Sequence, residues 1–222
     1  MRGNRDKTAR RLRGATVRLR DGFTLVELLV IVTIIILLLS ILVPAAGTAY
    51  RAIERSISMA YIHQIGSGVE FYRNDFRDYP PSAKGANDFL PDWKGSQILV
   101  FLLTGYTDGD GKADWGFQVV HEGRTRDFGP YNGTDKLPMS TSSPRTFVDK
   151  FDNPVLYYRY DVGQSMYIAG HNDGGPADIS EYARSGGRYK RSDYLLISMG
   201  ADNEWRTESG ADWDDITNLE TE

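Results

Sequence analysis

From 23 to 43 almost every position is apolar, interrupted by one carboxylate, Glu27. As a helix, these 21 residues at ~1.5 Å each cover roughly 30 Å, the thickness of bilayer hydrocarbon. Beyond Pro44 the pattern becomes one-sided. Tyr50, Ile53, Ile57, Tyr61, Ile65, Val69 and Tyr72 recur at three- and four-residue steps, while Arg51, Glu54, Arg55, Gln64 and Arg73 fill the other faces. The pattern predicts one long helix, apolar all round at first and amphipathic over 44–79, stopped by Tyr79-Pro80-Pro81. Gly66 and Gly68 are expected to weaken its last part by about 1 kcal/mol each relative to Ala. Ser96 is a candidate cap for a short helix over 97–103 that ends at Gly105. Segment 128–143 is rich in Gly, Pro, Ser and Thr and reads as loop. The β-rich runs 155–160 and 165–169 flank Asp161-Val162-Gly163-Gln164, a hairpin signal, and 193–199 is a third strand candidate. The expected fold class is α+β: a long N-terminal helix, transmembrane in its first half, packed on a small antiparallel β-sheet.

Charge divides the chain in the same places. Net charge is -4, but residues 1–22 carry eight Lys/Arg and two Asp, about +6, so the remainder is about -10. A basic head, an apolar span and an acidic body read as a single-pass membrane topology, with the basic residues in the cytoplasm and the acidic body on the far side. A basic nucleic-acid arm is the competing reading; the apolar run that follows at once argues against it, and no nucleic-acid partner is expected. Cleavage after the run, at Pro44-Ala45-Ala46-Gly47, is a further alternative, opposed by the length of the run and the helical pattern beyond it. The chain has no Cys, which excludes a disulfide scaffold, zinc knuckles and thiol catalysis.

Glu27 is costly where it stands. A carboxylate within the membrane costs about 2.5 to 3.5 kcal/mol on insertion scales. It can snorkel to the nearby interface, or it can meet a positive partner. A cut between Gly22 and Phe23 would create an amino group four residues away, and a neighbouring subunit would offer the same amine.

The run Gly22-Phe23-Thr24-Leu25-Val26-Glu27, after a basic leader and before a long apolar helix, resembles the processing site of type IV prepilins and type II secretion pseudopilins. The resemblance implies cleavage after Gly22 by an aspartyl prepilin peptidase and N-methylation of Phe23. It also implies that Glu27 pairs with the N-terminus of an adjacent subunit in a filament, and that Pro44 sits where many members carry a kink-forming Pro. The segments are then a leader (1–22), a transmembrane helix (23–43), its amphipathic continuation (44–79) and a globular periplasmic domain (80–222). Two further stretches resemble major pseudopilins locally. One is the helix exit, 72–80, where Phe76-Arg77 replaces a Gly-bearing turn. The other is 147–158, where Asn153-Pro154 is kept and Lys150, Phe151 and Asp152 replace Pro, Trp and Gly.

Two acidic segments are candidates for calcium. Asp108, Asp110 and Asp114 alternate with Gly, which suits either a solvated turn or a Ca²⁺ loop. At the other segment, a strand runs into Asp202, and Asp212, Asp214 and Asp215 return ten residues later. Such a cluster is either an exposed acidic tail or a loop neutralised by a metal. This segment resembles the calcium loop of the major pseudopilin, which implies Asp202 and Asp215 as carboxylate ligands. Asp214 or Asp212 would be a further ligand, and the carbonyls of Leu196 and Met199 weaker candidates. Asn203 and residues 204–208 depart from its Gly-rich turn.

His63, His121 and His171 show no metal-ligand spacing, and no enzyme motif is present. The expected function is a structural subunit of a type II secretion pseudopilus. Its partners would be copies of itself, prepilin peptidase, other pseudopilins, secretion platform proteins and the membrane. The alternatives are a type IV pilin in adhesion, motility or DNA uptake, and a signal-anchored periplasmic binding domain.

Overall fold

A computed structural model describes residues 22–84, 92–106, 116–121, 123–182, 184–185, 188–189, 193–205 and 215–219. Helix α1 (Leu25–Phe76) runs through Pro44 without a break in assignment. Its apolar first part is exposed throughout and is long and apolar enough to cross a membrane. Residues up to Ala46 belong to one unit and those from Gly47 to another.

In the second unit, α1 buries Ser58, Ile62, Ile65, Gly66, Gly68, Val69 and Tyr72. The α+β layout expected from the sequence is present, and Ile65, Val69 and Tyr72 of the expected stripe are buried, but its first members are not. Tyr50 and Ile53 are 68% and 56% exposed, and the stripe turns instead onto small residues. A Cβ on Gly68 would lie 2.8 Å from Thr134 Cγ2, and one on Gly66 would lie 3.1 Å from the Tyr194 hydroxyl. These glycines are points of close approach, where neighbouring side chains take the space a Cβ would fill. Their low helix propensity is offset by packing.

The helix stops at Phe76 rather than at Tyr79. Arg77 adopts φ 58 and donates its N–H to the Arg73 carbonyl at 2.7 Å. It closes the helix in the left-handed conformation that Gly adopts most easily.

Helix α2 (Gly95–Thr104) was expected two residues shorter at its start. Ser96 is not its cap. Lys94 holds the N-cap position and its N–H donates to Gln97 Oε1, while the Ser96 N–H donates to Asn172 Oδ1 at 2.8 Å. The distant amide of Asn172 satisfies a helix-end donor that a local hydroxyl usually takes. At the other end Gly105 caps as expected, with φ 75 and its N–H on the Phe101 carbonyl.

Strands β1 (Phe117–His121) and β2 (Arg124–Phe128) form a hairpin. The main sheet is four-stranded and antiparallel, in the order β4-β3-β7-β8. Its strands are β3 (Leu156–Asp161), β4 (Met166–Tyr167), β7 (Tyr194–Ser198) and β8 (Ile216–Thr217). Between them, β5 (Arg184–Ser185) pairs with β6 (Arg188–Tyr189). The hairpin around 161–164 and the third strand stand where the sequence placed them. Alternation sorts the sheet's side chains into two cores. Tyr157 and Leu196 face a cluster with α1 and α2, while Leu156, Tyr158, Leu195 and Ile197 join Tyr167, Ile179, Tyr182 and Leu219. A sheet covered on both faces reads as a continuous apolar run, as Leu195-Leu196-Ile197 does.

Candidate functional site

Three groups of polar residues are candidates. The first stands at the start of α1. Gly22 and Phe23 are exposed and non-helical, so the bond between them is accessible. Thr24 caps the helix. Its N–H and its hydroxyl donate to Glu27 Oε2 at 2.9 and 2.8 Å, and its hydroxyl accepts from the Glu27 N–H at 3.2 Å. This reciprocal arrangement is a capping box. Thr-x-x-Glu was legible in the sequence, and it gives Glu27 a role within its own chain. Leader residues 1–21 lie outside the described residues.

The second group was missed by the sequence reading. Asp149 is 2% exposed, and all its bonds are local to one junction. Oδ1 accepts from the N–H groups of Phe151 and Asn153 at 2.8 and 2.9 Å, and Oδ2 accepts from the Ser198 hydroxyl at 2.7 Å. Asn153 Nδ2 donates to the Gly200 carbonyl at 2.6 Å, and the Lys150 N–H donates to Ser58 Oγ on α1 at 3.0 Å. The turn therefore ties α1, the end of β7 and the first residues of the acidic loop together. Burial pushes the Asp149 carboxyl above its usual range, against the lowering effect of its three donors. Asp152 takes φ 64 at the position where the resembling pattern carries Gly. The signal in the sequence was Asp-x-x-x-Asn before Pro, an Asx-type turn at a strand entrance.

The third group is the acidic loop. Its base is closed by the β7–β8 ladder, which pairs Ser198 with Ile216. One step further, the register sets Asp215 across from Met199, so the limb carrying Asp202 and the limb ending at Asp215 leave the same ladder. Asp202 Oδ1 accepts from the Glu204 N–H at 2.9 Å, and Asp215 Oδ2 accepts from the Tyr182 hydroxyl. The Leu196 carbonyl, a candidate ligand, accepts the Asn218 N–H at 3.1 Å and belongs to the ladder. Two carboxylates fall short of the six to eight oxygens that Ca²⁺ takes. Among the described residues no three metal-ligating side chains come together. Asp212 and Asp214 lie outside the described residues, as do Asp108, Asp110 and Asp114.

His171, isolated in the sequence, is brought to Ser82 by the fold, with Nδ1 2.7 Å from Oγ. Comparison with family models, with curated proteins and with solved structures returns no match to this chain.

Proposed function

We propose that the chain is a structural subunit of a pilus-like filament of the type II secretion kind, processed between Gly22 and Phe23 and anchored by the first part of α1. Two features support this reading together. An accessible Gly22-Phe23 bond precedes a helix whose first turn carries Glu27 and whose next 16 residues, 28–43, are all exposed and carry no charge. Subunits would assemble by burying these apolar surfaces against one another, with the charge of Glu27 neutralised by a neighbour's N-terminal amine. In the same proposal Ca²⁺ holds the acidic loop, with Asp202 and Asp215 supplying ligands from the two limbs and Asp212 or Asp214 completing the set. Copies of the chain, prepilin peptidase, other pseudopilins and secretion platform proteins are the partners this assigns, at the inner membrane with the domain outside the cytoplasm.

The Thr24–Glu27 capping box favours a second reading: Glu27 serves its own helix, and the chain is a membrane-anchored domain that does not polymerise. One substitution separates the two. Glu27→Gln keeps a capping-box partner for Thr24, because Gln serves at that position, but removes the charge. Loss of filaments with unchanged membrane insertion supports assembly through the charge. Filaments that persist in Glu27→Gln and disappear only in Glu27→Leu would leave the cap as the whole role of Glu27. Intact mass from native membranes tests processing directly: a chain lacking residues 1–22 and carrying one extra methyl is expected, and an unprocessed chain overturns the proposal. For calcium, 1 mM Ca²⁺ is expected to raise thermal stability and a chelator to reverse it. At a hundredfold excess over Kd the gain is about 2.7 kcal/mol.

A further inference from the structure

The loop leaving α1 and the turn between β3 and β4 border an open cleft of about 400 Å³, lined by Ser82, Lys84, Arg159, Asp161 and His171 with the apolar edges Pro81 and Val162. The volume sits toward the lower end of small-molecule sites, roughly 300–1,000 Å³. Its polar groups are held by hydrogen bonds, some within the lining and some from Arg159 to residues beyond it. Ser82 is 3% exposed, and its hydroxyl lies 2.7 Å from His171 Nδ1, so the imidazole has Nε2 left for a ligand. Arg159 donates through Nη1 to the Tyr79 carbonyl at 3.2 Å and through Nη2 to Asp78 at 2.7 Å. Those bonds hold the guanidinium in place and leave further N–H donors on its fork. Asp161 Oδ1 accepts from the N–H groups of Gly163 and Gln164 at 2.8 and 3.1 Å, which orients the carboxylate and leaves Oδ2.

Charge decides what such a wall can hold. Arg159 is paired with Asp78, and the lining carries one further cation, Lys84, and one carboxylate, Asp161. Lys94, close enough to influence His171, is bridged to Asp173 at 3.1 Å. Burial also keeps the His171 pKa below its usual value, against the opposing pull of Asp161. With Asp78 counted as the partner of Arg159, two cations face two carboxylates, so the cleft has no excess charge to attract a lone anion or cation. It presents fixed donors beside fixed acceptors, the complement of groups that do both, namely hydroxyls. Pro81 and Val162 suit the C–H face of a ring. We propose that this cleft binds a neutral, hydroxyl-rich ligand: one sugar ring or the end of a saccharide chain. The inference stands whether or not the chain polymerises.

Saturation-transfer NMR on the full chain tests it, in an amine-oxide detergent that carries no sugar headgroup. The probes are the methyl glycosides of glucose, galactose, mannose and N-acetylglucosamine. Transfer to the ring protons of at least one is expected. Affinity should fall about tenfold in His171→Ala and about threefold in Lys84→Gln, the scale of one lost buried and one lost exposed hydrogen bond. Lys84 is exposed, so its substitution leaves the fold intact and guards against a merely unfolded His171 variant. Silence from all four glycosides, equal transfer in both variants, or binding of sodium acetate or inorganic phosphate in place of the sugars would each overturn the proposal.

Discussion

The two parts of α1 share one helical period and differ in what they touch. Over 25–45 every residue is exposed, large aliphatic side chains included. In the second part the buried stripe is made of Ile62, Ile65, Val69 and Tyr72, separated by Ser58, Gly66 and Gly68. Among the described residues, the apolar surface of the first part is left uncovered. The second part has less apolar surface and meets α2 and the sheet at close range. The difference teaches that an uncovered apolar surface marks where a helix seeks a partner, whereas small residues set within an apolar stripe, as Gly66 and Gly68 are, mark where it has one at close range.

The strongest way to break this comparison is truncation in each part. Ile65 is fully buried, so Ile65→Ala should cost about 2–5 kcal/mol by removing buried surface and leaving a cavity. Ile35 is 49% exposed, and Ile35→Ala should move the domain's unfolding by less than about 0.5 kcal/mol. Denaturant unfolding of the full chain in detergent, followed by near-ultraviolet circular dichroism, reads both. A large effect at Ile35 would mean that the first part does support the domain.

A finer test uses one substitution with opposite expected signs. Gly68→Ala places a Cβ 2.8 Å from Thr134 Cγ2 and 3.3 Å from Leu103 Cδ1. Overpacking of this kind costs about 1–3 kcal/mol, which exceeds the helix-propensity gain of roughly 1 kcal/mol. Gly47 has nothing within 4 Å of the corresponding position, so Gly47→Ala should show the gain alone, about 0.5–1 kcal/mol of stabilisation. The two midpoints should move in opposite directions, and a shared direction would show that propensity outweighs packing at both sites.

How much was legible follows from the same contrast. The helix, the 161–164 hairpin and the 193–199 strand were readable because each rests on local periodicity or turn chemistry. The buried face of α1 was read correctly at Ile65, Val69 and Tyr72 but was extended too far back, to Tyr50 and Ile53, because the apolar period continues where no packing partner from distant sequence covers it. The β1–β2 hairpin was not anticipated, and its turn glycine, Gly123 at φ 74, was the available sign. The bond from Ser198 to Asp149 and the Ser82–His171 pair were invisible for a related reason. Their members are 49 and 89 residues apart, and no spacing rule reaches that far.

The polar anchor of the second part can be tested by pH. Burial raises the Asp149 pKa above 3.8, so the folded chain holds this proton more tightly than the unfolded chain does. The stability it contributes is fully present below the unfolded pKa and is lost as pH rises through the raised folded value. Asp149→Asn stays neutral at every pH, and the Ser198 hydroxyl can turn to accept from the new amide. Wild-type stability relative to this variant should therefore decline as pH rises from about 4 toward neutrality. A constant difference across that range would mean that the three donors outweigh burial and that Asp149 sits comfortably ionised in the junction.

The smallest effect is expected where the second part ends. Arg77 closes α1 at φ 58 with its N–H on the Arg73 carbonyl, and its side chain is exposed. A residue with a Cβ is disfavoured in this conformation by about 1–2 kcal/mol, whereas Gly adopts it freely. Arg77→Gly should relieve that strain, offset in part by the greater entropy of Gly in the unfolded chain. The net gain should be about 0.5–1 kcal/mol, a rise in Tm of roughly 1–4 °C for a domain of this size. A fall in Tm would mean that the exposed guanidinium holds the domain by a contact stronger than the strain it imposes. A rise in Tm accompanied by poorer filament formation would mean instead that Arg77 is kept for a contact between subunits, which would give the exit of α1 the dependence on other copies proposed for its start.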